Sequence, residues 1–234
     1  MNKEAIILAG GLGTRLRTVV SDLPKCMAPV AGKPFIYYIL ENLIKQKVEH
    51  FIFSVGYKSE SITNYIKENY SFLKYSFAIE ESPLGTGGAI KNALTKTQED
   101  NILILNGDTL FDVDIDTLYQ FNNNKNSSCT LCLKPMSEFE RYGVVEMKED
   151  NSISSFKEKK YYKEGLINGG IYLLNKKVFQ SVDLPEKFSF EKDFLEQYYT
   201  QYQMFGFVQD HYFIDIGIPE DYERAQIEFK MRIN

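Results

Sequence analysis

Several stretches of this sequence carry groups that can handle phosphate. The glycine-rich stretch Gly10-Gly-Leu-Gly-Thr-Arg-Leu-Arg17 follows the apolar run Ala5–Ala9. Glycines let backbone N–H groups approach an anion closely. Arg15 adds a planar fork that suits phosphate oxygens. Two common nucleotide loops do not fit here. A dinucleotide fingerprint needs glycine where the chain has Leu16, and an acid about 20 residues further on, where it reads Val30-Ala-Gly-Lys-Pro34. A Walker loop needs Ser or Thr after Gly32-Lys33 and meets Pro34. A plain strand-to-helix turn is the bland alternative, and the glycine density beside Arg15 favours a phosphate site over it.

Leu105-Asn-Gly-Asp-Thr109 closes another apolar run with an acid. An Asp after Gly is commonly a turn residue. At the carboxyl end of a buried parallel strand it is also well placed to hold a metal. Glu80-Glu-Ser-Pro-Leu-Gly-Thr-Gly-Gly-Ala89 places carboxylates before another glycine cluster. A carboxylate only accepts hydrogen bonds. Guanine offers it two adjacent donors, whereas uracil and thymine offer one beside repelling acceptors. Glu80 or Glu81 therefore suits guanine, with a solvated acidic turn as the alternative. Cys129-Thr-Leu-Cys132 has the form of a redox or metal pair. Ser128–Leu133 reads as a strand, and residues three apart on a strand point to opposite faces, so the thiols are not expected to meet. Neither His50 nor His211 sits near a serine or cysteine motif, and neither is assigned chemistry.

The elements that must position these groups follow from hydrophobic periodicity. Ala5–Ala9, His50–Val55, Tyr75–Ile79 and Asn101–Leu105 read as strands. Between them fall helical patterns: one opened by Pro34 with Ile36, Ile39, Leu40, Leu43 and Ile44 in register, one over Ser59–Lys67, and one over Gly88–Leu94. Strands alternating with helices predict a parallel sheet covered on both faces. Further on, strand-like stretches at Ser128–Lys134, Val144–Met147, Ile153–Phe156 and Gly170–Leu174 come with short links. Helices return at about Glu191–Tyr199 and Glu220–Lys230. The low-complexity stretch Asn122–Ser128 reads as a solvated loop.

Composition narrows the class. The chain has 234 residues, 44% hydrophobic and 25% charged, as in an ordinary globular protein. Its 27 Lys and Arg against 32 Asp and Glu give a net charge of −5, which disfavours nucleic acid as a partner. Three cysteines, an odd and low number, suit a reducing compartment. The N-terminal apolar run is too short for a signal peptide, and no window reaches the ~20 apolar residues of a membrane span. A cytoplasmic location without membrane contact is the expectation.

Leu8-Ala-Gly-Gly-Leu-Gly-Thr-Arg-Leu-Arg17 followed by Leu23-Pro-Lys-Cys-Met-Ala-Pro-Val-Ala-Gly-Lys-Pro34 closely resembles the signature of the sugar-1-phosphate nucleotidyltransferases. The similarity continues to about Ala225. It implies an α/β fold: a Rossmann-like, doubly wound, mostly parallel mixed sheet of the nucleotide-diphospho-sugar transferase type. The chain is then a single domain over 1–234, with a nucleotide-binding half to about residue 110 and a sugar-binding half from about 111. By resemblance, Leu8, Ala9, Gly10 and Gly11 meet the nucleoside, while Gly13, Thr14 and Arg15 hold the phosphates. Lys25 faces the transferred phosphate. Glu80, Pro83, Gly85 and Thr86 belong to the base-reading segment. Asp108, with Asp215 in Phe213-Ile-Asp-Ile-Gly-Ile-Pro219, binds Mg²⁺. The family's usual Trp and Thr in that second pattern are replaced here. Tyr142-Gly-Val-Val-Glu146, Phe156-Lys-Glu-Lys159 and Ile167-Asn-Gly-Gly-Ile171 carry the sugar side. Within them, Gly143, Asn168 and Gly169 lie at the hydroxyls, Glu158 at a diol and Lys159 at the sugar's phosphate. A Lys160 stands where the family usually has Pro. Glu191 also approaches the sugar.

The implied reaction condenses a nucleoside triphosphate, with GTP favoured, and a sugar 1-phosphate, releasing pyrophosphate. Arg15, Lys25 and Asp108 are the implied catalytic residues. Val19–Val30 most resembles the bacterial D-glycero-α-D-manno-heptose 1-phosphate guanylyltransferases, which supply GDP-heptose for surface glycans. Mannose 1-phosphate with GTP, or another sugar 1-phosphate with UTP, CTP or dTTP, stays open. A non-catalytic nucleotide-sensing subunit is the alternative from another class, opposed by intact Arg15, Lys25, Asp108 and Asp215. Relatives are often dimers or larger, which leaves a homodimer open.

Overall fold

The computed structural model describes residues 2–11 and 23–233. In chain order they form β1 (Glu4–Leu8), the short hairpin β2 (Pro29–Val30) and β3 (Lys33–Pro34), α1 (Phe35–Lys45), β4 (His50–Val55), α2 (Ser59–Asn69), β5 (Lys74–Ile79) and α3 (Gly85–Ala93). Then come β6 (Asn101–Asn106), β7 (Thr109–Phe111), α4 (Ile115–Lys125), β8 (Cys129–Phe139), β9 (Val145–Met147), β10 (Ile153–Phe156) and β11 (Tyr162–Asn175). The chain ends with α5 (Lys176–Ser181), a π-helix (Phe190–Leu195), α6 (Glu196–Tyr198), β12 (Met204–Val208), β13 (Phe213–Asp215) and α7 (Pro219–Ile233).

The main sheet runs β12-β8-β11-β6-β1-β4-β5. Neighbours are parallel except around β11, which lies antiparallel to both β6 and β8. The expected mostly parallel mixed sheet is thus the observed one. Its central strands are apolar at nearly every position because both faces are covered. Alternation sorts their side chains. Ala5, Ile7, Phe51, Phe53, Leu103 and Leu105 face one core, with Leu40 and Leu43 of α1, Ile62 of α2, Leu118 of α4 and Phe229 of α7. Ile6, Ile52, Ile102 and Ile104 face the other, with Ile90 of α3, Phe179 of α5 and Phe190 and Phe194 of the π-helix. Full burial of each of the Leu, Ile and Phe side chains contributes about 1.5–3 kcal/mol. Cys129 lies in the second core and Cys132 in the first, so the two thiols point to opposite faces of β8 as strand geometry requires.

The structure adds α4, α5, β7, β12 and β13, which the sequence-based reading lacks, extends β8 and β11 well beyond the expected stretches, and departs from that reading at three further places. Asn122–Lys125 is not loop but the last turn of α4. That helix starts where the Asp114 carboxylate accepts from the Thr117 N–H at 2.9 Å, and it stops at Asn126 in a left-handed conformation. Asn122 is buried because its Oδ1 accepts from the Thr130 hydroxyl at 2.8 Å, so a polar residue here serves a core position. The helix expected at Glu191–Tyr199 begins as a π-helix, with only one α-turn after it. The helix expected at Gly88–Leu94 begins earlier, at Gly85.

At the amino-terminal ends of the parallel strands, opposite the cavities described below, lies a buried polar knot. The Glu4 carboxylate is 2.8 Å from His50 Nδ1 and accepts from the backbone N–H groups of Gln98 (2.6 Å) and Glu99 (2.8 Å). His50 Nε2 is 3.0 Å from the Ser76 hydroxyl. Burial pushes the Glu4 pKa up, but the Glu99 N–H, His50 and the Gln98 N–H outweigh it and hold it below the usual value. A carboxyl with a depressed folded pKa adds stability that is complete above its unfolded pKa and is lost as pH falls through the folded one. Glu4→Gln should therefore cost about 1–3 kcal/mol at neutral pH, with the deficit shrinking in acid below about pH 4. Urea unfolding at neutral and acidic pH checks this, and equal midpoints for the two proteins at pH 7 would refute it.

Candidate active site

The carboxyl ends of β1, β4 and β6 converge on one edge of the sheet, where open α/β sheets bind ligands. Backbone bonds stitch the turns together there. The Ala9 N–H donates to Ser54 O at 2.8 Å, the Gly107 N–H to Leu8 O at 2.9 Å and the Glu80 N–H to Val55 O at 2.8 Å. A cavity of about 430 Å³ opens above them. Leu8, Ala9, Gly10, Gly11, Lys25, Glu80, Pro83, Gly85, Thr86 and Asp108, all expected from sequence, line it together. Gly13, Thr14 and Arg15 lie outside the described residues.

A second cavity of about 510 Å³ adjoins it, under β11 and the turn between β10 and β11. Gly143, Glu158, Lys159, Asn168, Gly169 and Asp215 line it, again as a group expected from sequence. Asn106 and Glu191 are shared by both walls.

Lys25 and the two aspartates stand at the junction. Lys25 opens a 3₁₀ turn after Pro24, whose carbonyl accepts the Met27 N–H at 2.8 Å. This fixes the lysine backbone and leaves its side chain only 14% exposed. Its ammonium lies 2.5 Å from Asp108 Oδ2. Asp215, distant in sequence, arrives through strand pairing: β13 runs antiparallel to β7 with Asp215 opposite Thr109, and the Ile216 N–H donates to Asp108 O at 3.0 Å. Burial raises the pKa of Asp215, the negative charge of Asp108 raises it further, and Lys25, the Gly217 N–H and Arg141 oppose both. The two neighbouring carboxylates form a hard-oxygen donor set. Among the described residues no cluster of three or more His, Cys, Asp or Glu forms a metal cage, so a bound cation would take its other ligands from substrate or water.

Glu80, rather than the exposed Glu81, faces the first cavity. Its carboxylate accepts from the Ser54 hydroxyl and from the Leu84 N–H, each at 3.2 Å, and so also closes the turn of residues 80–84. The glycines beyond that turn have a packing cause as well. Gly85 has φ +73°, and a Cβ there would lie 2.4 Å from the Phe188 carbonyl oxygen; at Gly87 it would strike the Phe188 ring at 2.1 Å. Residues 186–188 press on the start of α3, and only glycine leaves room. The resemblance placed Gly85 and Thr86 in a base-reading segment and gave no packing reason for the glycines.

Several lining residues were not anticipated. Asn106 is a polar group ending an apolar strand two residues before Asp108, a signal visible in the sequence. Arg141, behind the cavity wall, was also not anticipated: it ion-pairs with Asp221 at the start of α7 and places its Nη2 3.9 Å from Asp215 Oδ2. Cys26 lines the first cavity, yet its thiol is buried and its pKa is pushed up to about 12, chiefly by desolvation. It is therefore inert as a nucleophile. Lys192 and Glu196 line the second cavity from the π-helix and the turn after it, and no sequence motif marks them.

Comparison with known proteins agrees with this geometry. The family model described as nucleotidyl transferase matches residues 4–231. The chain is 53% identical, over 97% of its length and 98% of the relative's, to D-glycero-alpha-D-manno-heptose 1-phosphate guanylyltransferase of Aneurinibacillus thermoaerophilus. It is 48% identical to the protein of the same name from Campylobacter jejuni, over 94% and 96% of the two chains. The crystal structure of HddC from Yersinia pseudotuberculosis complexed with GMP-PN superposes with a TM-score of 0.87 at 38% identity, covering 97% of this chain and 99% of that one. With the fold, the two adjoining cavities and a match spanning nearly the whole sequence, the chain belongs to the nucleotidyl transferase family.

Proposed function

We propose that the protein is a D-glycero-α-D-manno-heptose 1-phosphate guanylyltransferase: it joins GTP to that sugar phosphate, forming GDP-heptose and pyrophosphate. The observation that carries this reading is the pair of adjoining cavities with Lys25, Asp108 and Asp215 at their junction. The near full-length identity to two relatives of that name selects the substrates.

In this reading GTP lies in the first cavity, over Leu8–Gly11, and the sugar phosphate lies in the second. A phosphate oxygen of the sugar forms a bond to the α-phosphorus in line with the bond that breaks. Pyrophosphate leaves with the electron pair. The nucleophile is already ionised, so no side chain need act as general base. The chain's task is to hold two anions together and offset their repulsion. Lys25 supplies one fixed positive charge, and Arg15, by its place in the glycine loop, supplies another. Asp108 and Asp215 would hold Mg²⁺, and their donor set fits it. When bound, the ion neutralises charge developing on the transferred phosphoryl group. Glu80 accepts from the two adjacent guanine donors with the lone pairs left over from Ser54 and Leu84. Three free, buried cysteines support a cytoplasmic location, where GTP is also supplied. Use of the product in a capsule or other surface glycan completes the reading.

The direct test is pyrophosphate release with Mg²⁺, across GTP, UTP, CTP, ATP and dTTP, against a panel of sugar 1-phosphates. Release confined to GTP with the heptose phosphate is expected. Another productive pair would keep the enzyme class and discard the heptose assignment, whereas nucleotide binding without turnover would indicate a nucleotide-sensing subunit. Asp108→Asn should lower kcat by about 10²–10³-fold with an unchanged melting temperature. Near-normal turnover of that variant over a Mg²⁺ titration would remove Asp108 from the metal site. Glu80→Gln should reduce the preference for GTP over UTP by about tenfold, the discrimination expected of one charged hydrogen-bonding contact. An unaltered ratio would leave Glu80 as the clamp of its turn and nothing more.

A further inference from the structure

Tyr172 is 1% exposed, and its hydroxyl has no part in the chemistry above. It is nevertheless the middle of a hydrogen-bonded chain between the two cavities. On the nucleotide side, the Thr86 hydroxyl donates to Glu191 Oε2 at 2.7 Å and accepts from the Phe190 N–H at 2.8 Å. The other carboxylate oxygen of Glu191 accepts from the Tyr172 hydroxyl at 3.4 Å. That hydroxyl accepts from Asn168 Nδ2 at 2.9 Å, and Asn168 Oδ1 accepts from the Gly170 N–H at 3.0 Å.

Each member has little freedom. Thr86 and Tyr172 have one proton apiece, and both protons point at Glu191. Asn168 is therefore fixed with its amide nitrogen toward Tyr172 and its oxygen toward Gly170. The sugar cavity sees only what those bonds leave over. Thr86 stands in the first turn of α3, and Glu191 stands on a π-helix, a geometry often found at functional sites. A ligand pressing on Thr86 acts on Glu191 directly, and through Tyr172 on Asn168.

Resting on the two-substrate reading, we propose that Glu191 and Tyr172 are positioning residues that couple the cavities. Nucleotide seated against Thr86 sets the Asn168 amide and so strengthens binding of the sugar phosphate. By linkage, the sugar phosphate strengthens nucleotide binding by the same factor. A carboxylate is needed at position 191 because both oxygens accept: Oε2 from Thr86 and, at 3.0 Å, from the Ser189 hydroxyl, and Oε1 from Tyr172. Glutamine has one acceptor oxygen and breaks one of the two links.

Calorimetric titration of the full chain tests this with D-glycero-α-D-manno-heptose 1-phosphate, with and without α,β-methylene-GTP, whose α–β bridge cannot be cleaved. In the wild type the nucleotide should lower the Kd of the sugar phosphate by about tenfold, within the usual span of coupling between sites. In Tyr172→Phe that ratio should fall below about twofold while the protein still binds nucleotide alone, and in Glu191→Gln the ratio should fall equally, whatever its effect on either ligand alone. The double variant should lose no more coupling than either single one. A merely structural role would lower the melting temperature or weaken both ligands and leave the ratio unchanged, and that result overturns the proposal. So does a wild-type ratio near one. Should Tyr172→Phe fail to fold, Glu191→Gln carries the same readout. A wild type that binds neither ligand would instead defeat the two-substrate reading itself.

Discussion

Like charge at the junction of two cavities governs this structure. Asp108 is brought close enough to Asp215 to oppose the ionisation of Asp215, which is largely shielded from water as well. Lys25 answers part of that cost with an ammonium 2.5 Å from Asp108. The same place must receive a triphosphate and a sugar phosphate in the proposed reaction. In that proposed reaction a bound cation would offset the added negative charge, beginning from the positive charge that Lys25 already places beside Asp108.

The sheet makes that junction possible. Asp108 rides on the turn after β6, a strand buried on both faces, and Asp215 is carried to it by pairing of β13 with β7. Neither aspartate is held by its own side-chain contacts alone. Cross-strand backbone bonds, backed by two apolar cores, decide their separation. The polar knot of Glu4 and His50 lies at the other end of the same strands and fastens their amino-terminal ends.

Packing and chemistry share residues along the cavity walls. Gly85 and Gly87 admit the 186–188 segment, and that contact also sets the rim of the nucleotide cavity. Glu80 closes a turn and presents acceptors to the cavity. Glu191 bonds to Thr86 on one side and to Tyr172 on the other while lining both cavities. A residue with two duties of this kind tolerates little substitution, because either loss is felt at the other.

The sequence by itself determined the central parallel strands and the helices between them, and its resemblance to the sugar-1-phosphate nucleotidyltransferases supplied the two groups of lining residues. Buried parallel strands must be apolar throughout, and glycine, lysine and aspartate at their ends are few enough to stand out. It also determined that Cys129 and Cys132 diverge, because strand periodicity is local. The sequence did not disclose α4, since the run of asparagines at its end looks solvated until Asn122 is seen to bond Thr130 inside the core. Nor did it disclose that Phe188 is why Gly85 and Gly87 are glycine, or that Arg141 stands by Asp215. Those facts depend on contacts between segments far apart in the chain. Periodicity and local motifs record which face of an element is buried, and only the folded chain decides what that face is buried against.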